Sequence, residues 1–247
     1  DVAKARAVQR KSREGKFRAA LVGYTNAGKS SLLRSLSGSK LFVEDRLFAT
    51  LDSATRSVDV GSGQEVLITD TVGFIRKLPH DLIASFRSTL EEARESDVLL
   101  HVIDASHSDW EEHRDVVTGV LEELQLNEKD VVLVFNKVDQ VTHSEEVALR
   151  SRVQAFNATP AVFVSAHNPE SLDSLRETLR ARLRSQLAHV VVHIPVTDGE
   201  AIASLYQEGD VVHRVDEDSH VSLTARIPPA LRGRLASRSG VTIKDTG

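Results

Sequence analysis

The chain has 247 residues, a formal charge of −5, 40% hydrophobic and 27% charged residues, and no cysteine. That length suffices for one large domain or two modest ones with a buried core, and the absence of cysteine excludes disulfides, a thiolate zinc site and a prenylation box. The charge argues against a nucleic-acid binder that works through a wholly basic surface, and no apolar run approaches the roughly 20 residues of a membrane span.

The first stretch, Lys4 to Arg18, holds seven basic residues and one acidic one. Because the chain starts at Asp1 and contains no methionine, it reads as a piece of a longer protein, with 1–15 as a basic helical connector. From Phe17 the pattern alternates. "FRAALVG" is a short buried strand, followed by a polar loop and a helix starting near Lys29. "TRSVDVGSGQEVLITD" reads as two strands joined at Gly61-Ser62-Gly63, a hairpin signal. "DVLLHVID", "DVVLVFNK" and "AVFVSA" are further strands, with helical apolar spacing near 81–95, 109–125, 143–156 and 170–186. Continuous apolar strands alternating with helices predict an α/β fold: a mostly parallel six-stranded sheet covered on both faces. After about Ala188 the pattern changes to a strand "HVVVHIPV", a helix "DGEAIASLYQ", a hairpin turning at Glu217-Asp218-Ser219 and a final helix "PALRGRLAS". The predicted organisation is therefore a domain over 16–187 and a small α+β domain over 188–247.

The loop after the first strand reads Gly23-Tyr24-Thr25-Asn26-Ala27-Gly28-Lys29-Ser30-Ser31. Gly-x4-Gly-Lys-Ser between a strand and a helix is the phosphate-binding loop pattern. Its glycines let backbone N–H groups face phosphate oxygens at the positive end of the next helix. Lys29 supplies charge to the β and γ phosphates, and the Ser30 hydroxyl is a ligand for Mg²⁺. About 40 residues on, "ITDTVGF" closes an apolar strand. Asp70 there is placed to reach Mg²⁺ through water and the Gly73 N–H to bond a γ-phosphate, a contact only the triphosphate offers.

"VFNKVD" ends another strand. The Asp139 carboxylate can accept from guanine N1–H and the 2-amino group. Adenine offers neither donor, and an unpaired carboxylate there disfavours it. Asn136 is expected to tie this segment to the phosphate loop and approach N7, with the Lys137 stem over the base. "VSAH" ends the last strand, so Ser165, Ala166 and His167 complete the set, the Ala166 N–H donating to guanine O6. In this order and at strand ends, these elements predict a guanine-nucleotide domain binding GTP and GDP, and a metabolic kinase would have no need of "NKVD".

The order phosphate loop, DTVG, NKVD, SA resembles the translation-factor-related GTPases. "ALVGYTNAGKSSL", "LFATLDSATR", "DTVGFIRKLPHDLIASFRSTLEEA" and "VHIPVTDGEAIASLYQEGDV" resemble the HflX family over nearly the whole chain. The resemblance implies a P-loop GTPase domain followed by that family's C-terminal module, the family's N-terminal domain being absent from this sequence. It implies a cytoplasmic switch protein that binds the large ribosomal subunit and its rRNA and promotes subunit dissociation or rescue of stalled ribosomes. The Lys4–Arg18 segment and a second set, Arg226, Arg232, Arg234 and Arg238, are candidates for rRNA phosphate. The alternative is a regulatory GTPase that recruits a protein partner without touching RNA. Ser53 departs from the family, which usually has proline there.

"LFATLDSATR" is the expected first switch, with Thr50 as the residue that binds Mg²⁺ and senses the γ-phosphate and Thr55 as second choice. Where many such enzymes carry a glutamine that orients the attacking water, this chain has Phe74, which cannot bond water. Slow intrinsic hydrolysis follows, with the missing group supplied from elsewhere in the chain, a cation or a partner. Asn26 sits where similar GTPases help hold K⁺ beside the phosphates, an ion able to neutralise transition-state charge; a loop asparagine bonding its own backbone is the plain alternative. Arg46 and Arg56 are candidate arginine fingers. His101, His167 and Trp110 read as structural, and the ten histidines form no metal-ligand spacing.

Overall fold

The computed structural model describes residues 16–38, 54–61, 63–74, 91–156 and 159–246. The expected connector 1–15, Arg46, Thr50, Ser53, Ser62 and the part of "DTVGFIRKLPH" beyond Phe74 lie outside these residues. The chain divides into two compact units, Phe17–Arg180 and one containing Ala181–Gly247.

In the first unit, β1 (Arg18–Gly23), β2 (Ala54–Asp59), β3 (Glu65–Asp70), β4 (Val98–Asp104), β5 (Asp130–Asn136) and β6 (Ala161–Phe163) form one sheet in the order β2-β3-β1-β4-β5-β6. Only β2 runs antiparallel, paired with β3 from Ala54↔Asp70 to Asp59↔Glu65. The other pairs are parallel. The interior strands β1, β4 and β5 are buried almost end to end, as strands covered on both faces must be. Among the described residues this unit has the helices α1 (Lys29–Ser37), α2 (Trp110–Glu123), α3 (His143–Phe156) and α4 (Asp173–Ser185), the dividing point falling within α4, and 91–95 are helical as well.

Side chains alternate between the two faces of the sheet, and the core follows that rule. Ala20, Val22 and Leu99 pack with Val117 and Leu121 of α2. Ile103, Leu133 and Phe135 pack with Trp110, Leu149 and Val153. Trp110 meets Phe135 edge-on at 5.2 Å, and Phe135 stacks on Phe163 at 5.0 Å, both favourable aromatic geometries. α1 packs on β1, β2 and β3. β6 is shorter than expected: it ends at Phe163, Val164 N–H makes one further bond to Phe135 O at 2.8 Å, and residues 165–168 close a turn in which Asn168 N–H donates to Ser165 O at 3.1 Å.

The second unit is an antiparallel sheet in the order β10-β7-β9-β8, from β7 (Ala188–Pro195), β8 (Asp210–Asp216), β9 (His220–Ile227) and β10 (Thr242–Asp245). Alternate residues of β7 and β9 are buried. Val190, Val192, Ile194, Val221, Leu223 and Ala225 meet α5 (Gly199–Glu208) through Ala201 and Leu205, and α6 (Pro229–Ala236) through Leu231 and Leu235. Asp198 caps α5 by accepting the Ala201 N–H at 3.0 Å, the usual use of aspartate at that position. β10, paired with β7 from Thr242↔His193 to Asp245↔Val190, is an element the sequence pattern did not announce.

Candidate functional site

The C-terminal ends of β1, β3, β4 and β5 lie side by side, so the loops that leave them converge. This is where an open α/β sheet places a ligand. The loop after β1 wraps around its own lysine. Lys29 Nζ donates to Gly23 O at 3.0 Å and Tyr24 O at 3.1 Å, and the residue is only 6% exposed. Burial pulls its pKa from 10.5 to about 8, partly offset by the Asp70 carboxylate. A buried ammonium at the start of a helix has the charge and the backbone N–H groups that suit an anion.

Gly28 closes the loop with φ at +91°, a conformation disfavoured for residues with a Cβ. A Cβ there would also come within 2.3 Å of Asn136 Nδ2. Asn26 is exposed and takes the left-handed conformation, φ 59°, which asparagine tolerates. Ser30 Oγ donates to Asp70 Oδ2 in a short hydrogen bond, bringing two of the three expected Mg²⁺ ligands together at the end of β3; the third, Thr50, lies outside the described residues. A serine hydroxyl beside a carboxylate is the hard-oxygen donor set that Mg²⁺ takes, so these two residues fit the ion.

The "DTVGF" segment is fastened to the loop by its backbone. Thr25 N–H donates to Phe74 O at 2.8 Å, and Phe74 N–H to Gly23 O at 3.0 Å. Gly73 allows that approach, since a Cβ on it would lie 2.8 Å from Thr25 Cα and 3.1 Å from Lys29 Nζ. The Phe74 ring is 1% exposed and packs with Val22, Leu99 and Val117. Phe74 is thus a core residue as well as a residue unable to bond water. Thr55 lies in β2 with its hydroxyl 2.9 Å from that of Thr69. Arg56 is in the same strand, its guanidinium donating to Thr55 O, not in a polar loop.

On the other side of the loop, the β5 end supplies the expected base-recognition residues. Asn136, 1% exposed, donates from Nδ2 to Ala27 O at 3.0 Å and accepts the Ala166 N–H on Oδ1 at 3.1 Å. One side chain therefore ties three segments together. The Ala166 N–H, read from sequence as a guanine O6 donor, is directed at Asn136 in this structure. Lys137 is left-handed, φ 66°, and its Nζ pairs with Asp104 Oδ2 at 2.7 Å. Asp139 follows on a 3₁₀ turn, Val138–Gln140, with its carboxylate exposed and no hydrogen bond or ion pair among the described residues. Ser165 is buried, and the exposed His167 donates its N–H to Ser165 Oγ at 3.1 Å. Ser31 is the third residue of α1.

Two features of the site were not visible in the sequence. One is Asp104, which reaches Lys137 because β4 pairs β5 with Asp104 opposite Asn136. The other is a cavity of about 240 Å³ between the loop and α2, bordered by Tyr24, His101, His107, His113 and Arg114. The Tyr24 ring stacks flat on His113 at 3.9 Å. His101 is 2% exposed, and burial, with Arg114 and Lys29 nearby, lowers its pKa to about 3.

Residues 18–137 match the family model described as 50S ribosome-binding GTPase. The chain is 39% identical over 249 residues to the GTPase HflX of Magnetococcus marinus, covering 99% of this chain and 56% of that protein. The chain belongs to the HflX family of GTPases. It spans about half the length of the curated HflX relatives it matches. A GTP-binding protein of Sulfolobus solfataricus, solved in complex with GDP, aligns with this HflX-family chain at 25% identity. Its TM-score is 0.54, covering 72% of this chain and 56% of that one. Era, solved with MgGDPNP and a fragment of 16S ribosomal RNA, aligns at 24% identity and TM-score 0.58 over 67% of this chain and 56% of its own. The Era likeness shows the P-loop GTPase fold.

The C-terminal arginines of this HflX-family chain are matched by acid. Arg226 faces Asp210 at 3.4 Å, Arg232 Asp245 at 2.6 Å, Arg234 Glu208 at 2.5 Å and Arg238 Asp198 at 2.7 Å. The set read from sequence as a positive stretch therefore carries its own counter-charges. Among the described residues, no helix is long and apolar enough to cross a membrane.

Proposed function

We propose that this chain binds GTP and GDP with Mg²⁺, hydrolyses GTP slowly on its own, and uses the two nucleotide states as a switch on the ribosome. The observation that carries the nucleotide reading is the Asn136 tie. It holds Ala27 of the phosphate loop and Ala166 of the last loop in register, with the exposed Asp139 carboxylate on the same corner. A polyphosphate cradle and a purine-selective carboxylate are thereby parts of one cleft. Lys29 and the loop N–H groups hold the phosphates, and Ser30 and Asp70, with Thr50, hold Mg²⁺, which when bound neutralises charge on the β and γ phosphates. The Gly73 N–H reads the γ-phosphate. Asn136, Lys137 and Asp139, with Ser165 to His167, recognise guanine. With Phe74 buried, no side chain at that position orients water, and the lacking group comes from a partner or from K⁺ held near Asn26. Equal hydrolysis rates in K⁺ and Na⁺ buffers would remove the K⁺ assignment.

The family model's description, 50S ribosome-binding GTPase, supports the ribosome as the partner; we extend the proposal to the large subunit and its rRNA, to a cytoplasmic location, and to an organisation as a connector (1–15), a G domain (16–187) and a C-terminal domain (188–247). Pelleting with 50S subunits in a non-hydrolysable GTP analogue tests this: retention with the analogue and release with GDP is expected. A second reading has one observation in its favour. The acid-matched arginines of the C-terminal unit suit a protein partner better than RNA phosphate. Absence of co-sedimentation with the full-length protein would move the assignment to a switch that recruits a protein.

A further inference from the structure

We infer that Asp104 is a positioning residue for guanine selectivity: it draws the Lys137 ammonium away from Asp139 and so leaves the base-reading carboxylate available. The inference rests on the assignment of Asp139 to the base. Lys137 and Asp139 lie two residues apart on one turn, and a lysine stem is long and flexible enough to reach a carboxylate at that separation. Left to itself, that ammonium would pair with Asp139 and compete with the guanine N1–H and 2-amino donors.

The structure shows the ammonium engaged elsewhere. Its partner Asp104 ends β4, and the pair is largely shielded, with the Lys137 and Asp104 side chains 20% and 15% exposed. Asp104 is itself fixed, because Oδ1 accepts the Ser106 N–H at 3.0 Å and the Ser106 hydroxyl at 2.6 Å. A rigid carboxylate on a strand end is a better anchor for a flexible ammonium than an exposed one on a 3₁₀ turn. The Lys137 stem passes the phosphate loop, its Cε 3.8 Å from where a Gly28 Cβ would lie, which keeps the stem on the base side while the head is held off. The negative charge at the corner is thus divided by role. Asp104 neutralises lysine, and Asp139 receives the base.

Fluorescent GDP and IDP report the effect, since inosine keeps N1–H but lacks the 2-amino donor and so measures that one of the two bonds to Asp139. The chain is expected to prefer GDP by about tenfold or more, the worth of a hydrogen bond to a charged group. In Asp104→Asn that preference should fall at least about threefold, GDP losing more than IDP. Asp104→Glu should recover part of it. The double variant Asp104→Asn with Lys137→Met, which keeps a stem but removes the ammonium, should regain the full GDP-over-IDP ratio. If Asp104→Asn weakens both nucleotides equally, or the double variant stays unselective, Asp104 is only a strut and the inference fails. Asp139→Asn with XDP separates the two levels: if that exchange brings no preference for xanthine, the base assignment itself is wrong and the role of Asp104 falls with it. Should Asp104→Asn fail to fold, Asp104→Leu with Lys137→Met removes both charges and carries the same expected ratio.

Discussion

Replacing Asn136 by alanine removes a side chain that bridges the phosphate loop and the base loops. Two hydrogen bonds disappear, Nδ2 to Ala27 O at 3.0 Å and Ala166 N–H to Oδ1 at 3.1 Å. The groups left behind are not equivalent. Ala27 is 2% exposed, so its carbonyl loses its partner away from water and costs about 1–3 kcal/mol. Ala166 is partly exposed, and water can take over its N–H, which adds about 1 kcal/mol or less. Asn136→Ala should therefore lower the unfolding free energy of the nucleotide-free chain by about 1–4 kcal/mol. It should also weaken GDP binding, because the cradle and the base corner lose their register. Urea denaturation reads the first effect and calorimetry the second. Gly28→Ala supplies an internal check, since its Cβ would press on Asn136 Nδ2 at 2.3 Å; combined with Asn136→Ala it should cost less than the sum of the two. A loss below about 0.5 kcal/mol with an unchanged urea slope, the range of a plain surface substitution, would refute this reasoning.

Gly73→Ala should move the "DTVGF" segment off the phosphate loop, because the new Cβ meets Thr25 Cα at 2.8 Å. The expected result is a loss of preference for a non-hydrolysable GTP analogue over GDP of about tenfold, read by fluorescent-nucleotide titration. His101 governs acid sensitivity. Its folded pKa of about 3 lies below the unfolded 6.5, so as pH falls through 6.5 the unfolded chain takes up a proton the folded imidazole refuses. Stability should then drop by up to about 1.4 kcal/mol per pH unit below that point. His101→Gln should flatten the stability profile between pH 6.5 and 5, measured by denaturant midpoints; an unchanged profile would show that other groups set it.

How far the sequence reaches can be judged from particular residues. β1, β4 and β5 were legible because continuous apolar runs ending in Gly23, Asp104 and Asn136 leave few alternatives to buried parallel strands. The phosphate loop and "NKVD" were legible because their residue types and spacing answer to fixed ligand geometry. β10 was not, since "TIKD" holds a single strongly apolar residue, and its pairing with β7 comes from the tertiary fold. Phe74 was read only as a missing glutamine. Its ring turns inward because the backbone is bonded to Gly23 and Thr25, which no local pattern records. The acid partners of Arg226, Arg232, Arg234 and Arg238 lie 13 to 40 positions away, so a stretch that looks basic in one dimension is neutral in three. Asp104 escaped notice for the same reason: only the β4–β5 register sets it beside Lys137.

The central claim is that a phosphate cradle and a purine-reading carboxylate share one cleft. Calorimetric titration of the chain with GDP and with ADP, both with Mg²⁺, tests it most directly. GDP should bind with a single site and ADP at least about 100-fold more weakly, because adenine leaves Asp139 without its two donors. Equal affinity for the two nucleotides would contradict the account.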